Sequence, residues 1–129
     1  MAGPATRSTS TTWRRRSRTW AGSELRACES LVVQILRHLA KLAAGGRPQP
    51  HAGWRRAATA FRLSLARRLT PAIRGRLEAG YAGLWRDAAR LAAADFAADE
   101  PDFTPTPPAE PPFSLDEVLD LDWWPGGEG

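Results

Sequence analysis

The sequence is poor in cysteine and in long apolar runs. Its single cysteine, Cys28, cannot form a disulfide within the chain, and nothing in the composition indicates an oxidising compartment. No stretch approaches the roughly 18 apolar residues that a membrane span requires. The Arg-rich start also lacks the apolar run of a secretory signal. These absences predict a cytoplasmic protein that does not engage a membrane.

The usual signatures of catalytic and metal sites are missing as well. The two histidines, His38 and His51, lie on either side of a Gly/Pro-rich loop and lack the short-spaced partners that a zinc site requires. No phosphate-binding glycine motif and no G-x-S-x-G string occurs. We therefore expect no enzyme, no cofactor and no metal. We interpret His38 as a residue near a helix C-terminus, where the helix dipole favours it.

The residues that are abundant favour helix. Alanine, leucine and arginine dominate the middle of the chain, β-branched residues are few, and there is one tyrosine. A chain of 129 residues holds a single hydrophobic core. Apolar residues recur at spacings of three and four in three stretches, which is the helical period. These stretches predict helices from about Ser23 to Gly45-Gly46, from His51 to Leu69, and from Thr70-Pro71 to about Ala98.

Composition divides the chain into four segments. Residues 1–21 are rich in Arg, Ser and Thr without apolar periodicity, which is typical of a disordered basic arm. Residues 22–98 carry the predicted helices. Residues 99–112 are Pro-rich and acidic, which predicts an extended linker, and residues 113–129 form a tail. The predicted fold is all-α: a small antiparallel bundle of three main helices, with a short C-terminal helical turn docked on it.

The tail is the first candidate for an interaction. Ser114 and Glu117 have the S-x-x-E spacing of a capping box, which predicts a short helical turn directly after the serine. Large aromatic side chains such as those at the end of the tail are rarely left exposed together. The tail therefore docks on its own bundle, which we favour, or anchors on a protein partner. The candidate interaction residues are Leu115, Leu119, Trp123 and Trp124.

Charge is unevenly distributed along the chain. No Lys or Arg follows Arg90, whereas ten of the 14 acidic residues do. The basic residues of the second helix could contact the phosphates of a nucleic acid, or they could form a solvated helix face, which we favour. This candidate basic face comprises Arg55, Arg56, Arg62, Arg67 and Arg68. The functional prediction is thus a non-enzymatic bundle that acts by protein–protein interaction. Nucleic-acid binding is the alternative, and self-association would follow from an uncovered core face.

The order of these features resembles the small bacterial proteins known as the domain of unknown function 29 family. Leu31 to Lys41 is similar to its first conserved helix, Gly53-Trp54-Arg55 to the Ser-Trp-Arg opening of its second, and Tyr81 to Ala92 to its third. Phe113 to Pro125 resembles the family's closing aromatic-Thr-Leu-Glu-x-Leu-Leu-Asp-x-Asp-Phe/Trp-Trp-Pro. The resemblance covers residues 22–125 and implies a helical bundle. It implies no activity and no site residues, because the family has no established activity.

The start of the chain departs from that family, whose members carry an acidic amphipathic helix before the Ser-Glu found here at Ser23. Suppose that Thr12 to Trp20 is encoded as ACC TGG CGG AGG AGG TCG AGG ACG TGG. Reading from the last base of the first codon then gives Leu-Ala-Glu-Glu-Val-Glu-Asp-Val, which resembles the absent helix. We therefore hypothesise that residues up to about Ala21 are an out-of-frame translation, so that the basic arm is spurious. Codons at these positions that cannot encode the acidic peptide would refute the hypothesis.

Overall fold

The computed structural model contains five helices. It describes the backbone of residues 3–48 and 50–126 and the side chains of residues 22–48 and 50–126. The described part of the chain has no β-strand, which confirms the all-α prediction. In chain order the helices are α1 (Gly3–Ala44), α2 (His51–Arg68), α3 (Pro71–Ala79), α4 (Tyr81–Asp99) and α5 (Leu115–Leu119).

Helices α1 and α2 pack as antiparallel neighbours. Glu24 of α1 pairs with Arg68 at the end of α2, with 3.1 Å between Oε1 and Nη1. Seventeen residues further along α1, the Lys41 ammonium lies 4.8 Å from the ring centroid of Trp54, near the start of α2. Gly45 and Gly46 end α1 with φ of 97° and 66°, a left-handed conformation that glycine adopts without strain. The predicted ends of both helices at this turn are confirmed.

The predicted third helix is two helices. Thr70 caps α3 as predicted, because its hydroxyl accepts a hydrogen bond from the Ile73 amide at 3.2 Å and Pro71 occupies the first helical turn. The helix is then interrupted at Gly80, with φ −99° and ψ 9°, and this residue is both the C-cap of α3 and the N-cap of α4. The prediction of a single helix from Pro71 to about Ala98 was therefore wrong. Glycine weakens a helix, which makes this position the favourable one for the break.

The start of α1 also differs from the prediction. Residues 3–21 continue the helix, whereas the sequence predicted a disordered arm up to residue 21 and a helix beginning near Ser23. The absence of an apolar stripe was therefore the wrong criterion for predicting disorder in this segment. Once a helix has nucleated, each added residue costs little, and residues 5–21 contain neither glycine nor proline to stop it.

Helix α4 runs parallel to α1, so α1, α2 and α4 form the up-down-up arrangement of an antiparallel bundle. The direction follows from Arg37 and Lys41 of α1, which both contact Asp95 near the end of α4. The core lies between these helices and the tail, and each large apolar side chain buried there contributes roughly 1.5–3 kcal/mol. Its large members are Val32, Ile35, Leu36, Leu39, Leu65, Leu77, Trp85, Phe113, Leu115 and Val118.

Candidate interaction surface

The tail begins with the predicted capping box. The Ser114 hydroxyl accepts a hydrogen bond from the Glu117 amide at 3.1 Å, and the Glu117 carboxylate accepts one from the Ser114 amide at 2.8 Å. Two amides that would be unpaired at the start of α5 are thereby satisfied, which is why a helix of five residues forms here.

The tail docks on its own bundle, as the sequence favoured. Leu115 and Val118 are buried in the core, and Leu119, Trp123 and Trp124 are half-buried against it. The tail contacts both α1 and α2 through α5. All four candidate interaction residues therefore contact the chain itself.

Phe113 joins the tail to α4. Its ring makes edge-to-face contacts with Trp85, at 5.9 Å between centroids, and with Trp123, at 5.4 Å. The Tyr81 hydroxyl donates a hydrogen bond of 2.8 Å to the Phe113 carbonyl. Burial raises the pKa of Tyr81, so this hydroxyl keeps its proton and remains a donor. The tail thus fills the space between α2 and α4.

Arg62 of α2 holds the C-terminal part of the tail through hydrogen bonds. The residue is 2% exposed, and its guanidinium donates three hydrogen bonds to tail carbonyls: Nε to Val118 at 2.8 Å, Nη1 to Trp123 at 2.9 Å and Nη2 to Glu117 at 3.1 Å. Burial lowers the pKa of Arg62, yet a guanidinium whose ordinary pKa lies so high stays charged. The charge faces the C-terminal end of α5, where the Glu117 carbonyl also accepts a longer hydrogen bond of 3.3 Å from the Asp120 amide.

The linker lies against α4 and is not a free tether. The Trp85 indole N–H donates to the Pro108 carbonyl at 3.0 Å, and the ring of Phe103 meets that of Phe96 edge-on at 5.0 Å. The linker has no regular secondary structure, as predicted, but two aromatic residues of α4 fix its path. Composition alone did not show this, because the anchors belong to another segment.

An open groove runs between α1 and α4 on the side away from the tail. Its volume is about 640 Å³, and half-buried Val33, Leu84 and Leu91 line it. Four charged residues also line it: Arg26, Glu29, Asp87 and Arg90. Among the residues whose side chains the structure describes, none of these four forms an ion pair within the chain. Sequence reasoning missed this groove.

The sequence matches the profile of the family described as domain of unknown function DUF29 over residues 18–124. The chain belongs to the DUF29 family. The match leaves out residues 1–17, most of the segment that the reading-frame hypothesis assigns to another frame, and the hypothesis itself stays a prediction. No curated protein and no solved structure matches the chain.

The candidate basic face of this DUF29 chain is not a continuous surface. Arg62 is buried and bound to the tail, and Arg55 stacks on Trp124, with its guanidinium carbon 5.5 Å from the ring centroid. Arg62 lies 4.7 Å from the same ring. Of the five predicted residues, Arg56, Arg67 and Arg68 are exposed, and Arg68 pairs with Glu24. The prediction that Arg62 belongs to an exposed basic face was therefore wrong. The helical pattern did not show that the tail covers this side of α2.

Arg37, Lys41 and Asp95 form a half-buried charged cluster between α1 and α4 that the sequence did not predict. The Asp95 carboxylate accepts hydrogen bonds from Arg37 at 2.6 and 2.7 Å and lies 3.0 Å from the Lys41 ammonium. The Arg37 hydrogen bonds, aided by Lys41, lower the pKa of Asp95 against the opposing effect of its burial. Lys41 is the chain's only lysine and interrupts an apolar stripe, which was the available signal.

The two histidines have structural partners. His38 is half-buried more than one turn before the end of α1, where its Nδ1 lies 2.7 Å from the Gln34 carbonyl oxygen and its ring packs on Phe61. The predicted role at the helix C-terminus was therefore wrong for His38. His51 lies closer to that terminus, because its Nε2 is 2.8 Å from the carbonyl oxygen of Gly45, just past the end of α1.

Within residues 3–48 and 50–126, no helix is both long enough and apolar enough to cross a lipid bilayer. Across the side chains that the structure describes, no three His, Cys, Asp or Glu residues come together as metal ligands would.

Proposed function

We propose that this member of the DUF29 family acts by binding another protein, without catalysing a reaction, and that the groove between α1 and α4 receives an amphipathic helix of that partner. The observation that carries the proposal is the combination of a half-buried apolar floor with four charged side chains that form no ion pair among the described residues. The candidate interaction residues of the tail already pack against the chain's own bundle.

The shape of the groove favours a helix as the occupant. Two parallel helices leave a furrow along their line of contact, and a third helix can lay side chains into it at intervals of three and four residues. The floor residues Val33, Leu84 and Leu91 would meet that stripe. Each is half-buried, so docking removes from water apolar surface that the fold itself leaves accessible.

The charges of the groove favour a protein over a nucleic acid. Arg26 and Glu29 belong to α1, and Asp87 and Arg90 belong to α4, so each side carries one charge of each sign. A phosphate backbone would be repelled by the two carboxylates. A partner helix with acidic and basic residues beside its apolar stripe would pair with all four.

The other charged groups of the interior support binding over catalysis. Arg62 is engaged by three carbonyls, and Asp95 is held by Arg37 and Lys41. Groups tied into such pairs stabilise the fold and are not poised to exchange protons with a substrate. The single thiol, Cys28, is buried, and its pKa is raised chiefly by burial. A buried thiol of this kind is unreactive. We propose the bacterial cytoplasm as the compartment because a single cysteine cannot form a disulfide within the chain.

The test is site-specific photo-crosslinking of the full chain in the cells that produce it. A benzophenone side chain replaces Ser30, an exposed residue of the groove, or Leu63, which is 46% exposed on α2 and serves as the control. We expect one protein adduct from position 30, none of that size from position 63, and loss of the adduct in Arg90→Glu.

Three results would contradict the proposal: adducts of the same size from both positions, no adduct at position 30, or an adduct to nucleic acid. An adduct of two copies of this chain would also contradict a separate partner and would assign the groove to self-association.

A further inference from the structure

A second concavity lies on the other side of α4, beneath the linker. Its volume is about 260 Å³. Its floor is made of alanines from α1 and α4, its inner wall includes Trp85, Phe96 and Phe113, and its roof is made largely of prolines of the linker. It shares no lining residue with the groove between α1 and α4.

The cavity is closed at depth and open at one edge. Ala40, Ala89 and Ala92 are buried at its floor, whereas Ala44 and Ala93 are exposed where it reaches the surface. The alanines leave the space empty because their side chains end at Cβ. A small molecule therefore has a way in that requires no opening of the core.

The lining offers contacts to an apolar molecule and little to a polar one. The Trp85 indole N–H is already used by the Pro108 carbonyl, at 3.0 Å. Proline has no backbone N–H, so the roof residues Pro105 and Pro107 cannot donate hydrogen bonds. An ion entering such a space would lose part of its hydration, and besides the Thr106 hydroxyl no polar or charged side chain with a free group among the described residues lines the cavity to compensate.

The size and the rings define the class of ligand. A buried apolar cavity of about 150 Å³ takes up benzene, so about 260 Å³ admits one or two fused rings. Trp85 and Phe113 already meet edge-to-face, and Phe96 is engaged in the same way with Phe103. A planar aromatic guest can add to this arrangement with the same geometry.

We propose that the cavity beneath the linker binds a small, uncharged aromatic molecule of one or two rings. The buried rings of Trp85, Phe96 and Phe113 form the inner wall, and the anchored linker forms the lid. The site is independent of the partner groove, so either proposal can fail alone.

The experiment titrates the full chain with toluene, and with benzoate as its charged counterpart. Binding is followed by calorimetry and by the indole N–H resonance of Trp85 in ¹H–¹⁵N spectra. We expect one saturable toluene site, a shift of that resonance, and no binding of benzoate.

The double variant Ala44→Leu/Ala93→Leu fills the mouth of the cavity. Both residues are exposed in the fold, so the chain should still fold. It should weaken toluene binding by about tenfold or more.

The matched control is Ala94→Leu, an exposed residue of the same helix that does not line the cavity. Its affinity for toluene should remain within about twofold of the unaltered chain. The proposal is overturned by the absence of saturable toluene binding up to its solubility, by equal binding of benzoate, or by equal affinity of the double variant and the control. The titration of the unaltered chain decides the question even if a variant fails to fold.

Discussion

The apolar residues on the two sides of the α1–α4 pair are covered to different extents. On one side the tail and the linker cover the apolar residues of both helices, and Arg62 and Trp85 hold them there by hydrogen bonds to their backbone. On the other side the apolar residues between the helices remain half-buried, beside charges that have no ion-pair partner among the described residues.

The difference shows how this small chain completes its core. Three helices in an up-down-up arrangement leave a gap between α2 and α4, although Trp54 and Phe96 meet edge-on at 6.0 Å. The tail supplies the missing fourth element with only five helical residues. Buried apolar area together with three charged hydrogen bonds makes that short segment an integral part of the fold. The groove has no such element among the described side chains, so variants on the two sides should differ in their effect on stability.

Removing the tail should have the largest effect. A chain that ends at Pro112 loses Phe113, Leu115 and Val118 from the core, and burial of three such side chains is worth at least about 5 kcal/mol. This is comparable with the whole stability of a small domain, about 5–15 kcal/mol. We expect the truncated chain to lack a cooperative thermal transition by circular dichroism at 222 nm. A peptide of residues 113–126 added in trans should restore it, whereas an unchanged melting temperature after truncation would show that the tail is not part of the core.

Arg62→Met should have the next largest effect. Methionine keeps the apolar stem but leaves the Val118 and Trp123 carbonyls without the Arg62 donor, whereas the Glu117 carbonyl keeps the Asp120 amide at 3.3 Å. We expect a loss of about 2–4 kcal/mol in the free energy of unfolding. Arg67→Met is the matched control, because Arg67 is exposed on the same helix, and its effect should stay within about 0.5 kcal/mol. Urea denaturation measures both. Equal losses in the two variants would mean that the fastening of the tail by Arg62 contributes nothing specific.

The tail was readable from the sequence because its signals are local. Ser114 and Glu117 are three residues apart, and that spacing alone predicts a capping box. Thr70-Pro71 carries the same kind of information for the start of α3. In both cases the residues that interact are neighbours in the chain, so their spacing determines the geometry.

The role of Arg62 was not readable, because its acceptors lie more than 50 residues away. In the helical pattern it is one of several arginines on α2, and tertiary packing alone distinguishes it from Arg67. The groove and the cavity were missed for the same reason. Val33 and Leu84 have the spacing of core residues, and what lies across from each helix decides whether a residue becomes core or stays at the surface.

Asp95 joins α4 to α1, and its carboxylate should make the stability of the fold depend on pH in acid. The pKa of Asp95 is lowered chiefly by its hydrogen bonds to Arg37, so the ionised carboxylate stabilises the folded chain. This contribution is fully present above the unfolded pKa, about 3.9, and is lost as the pH falls through the lower folded value. Asp95→Asn should cost about 1–2 kcal/mol at pH 7, because two hydrogen bonds to a charged group are weakened.

Urea midpoints between pH 7 and pH 2 check this prediction, since the difference between the variant and the unaltered chain should shrink below about pH 4. Glu78→Gln is a suitable control, because Glu78 is exposed on α3 and forms no ion pair among the described side chains. A difference that stays constant down to pH 2 would show that the charge of Asp95 does not stabilise the fold.

The smallest effect on stability should come from the groove. Arg90→Glu and Asp87→Lys reverse exposed charges that have no ion-pair partner within the described residues, so each should change the free energy of unfolding by less than about 0.5 kcal/mol. The same variants should abolish the crosslinked adduct at position 30, because they reverse the charges that a partner helix would meet. Loss of binding without loss of stability is the signature of a surface maintained for a partner. A large loss of stability would instead show that the groove is held by the fold itself, as the tail side is.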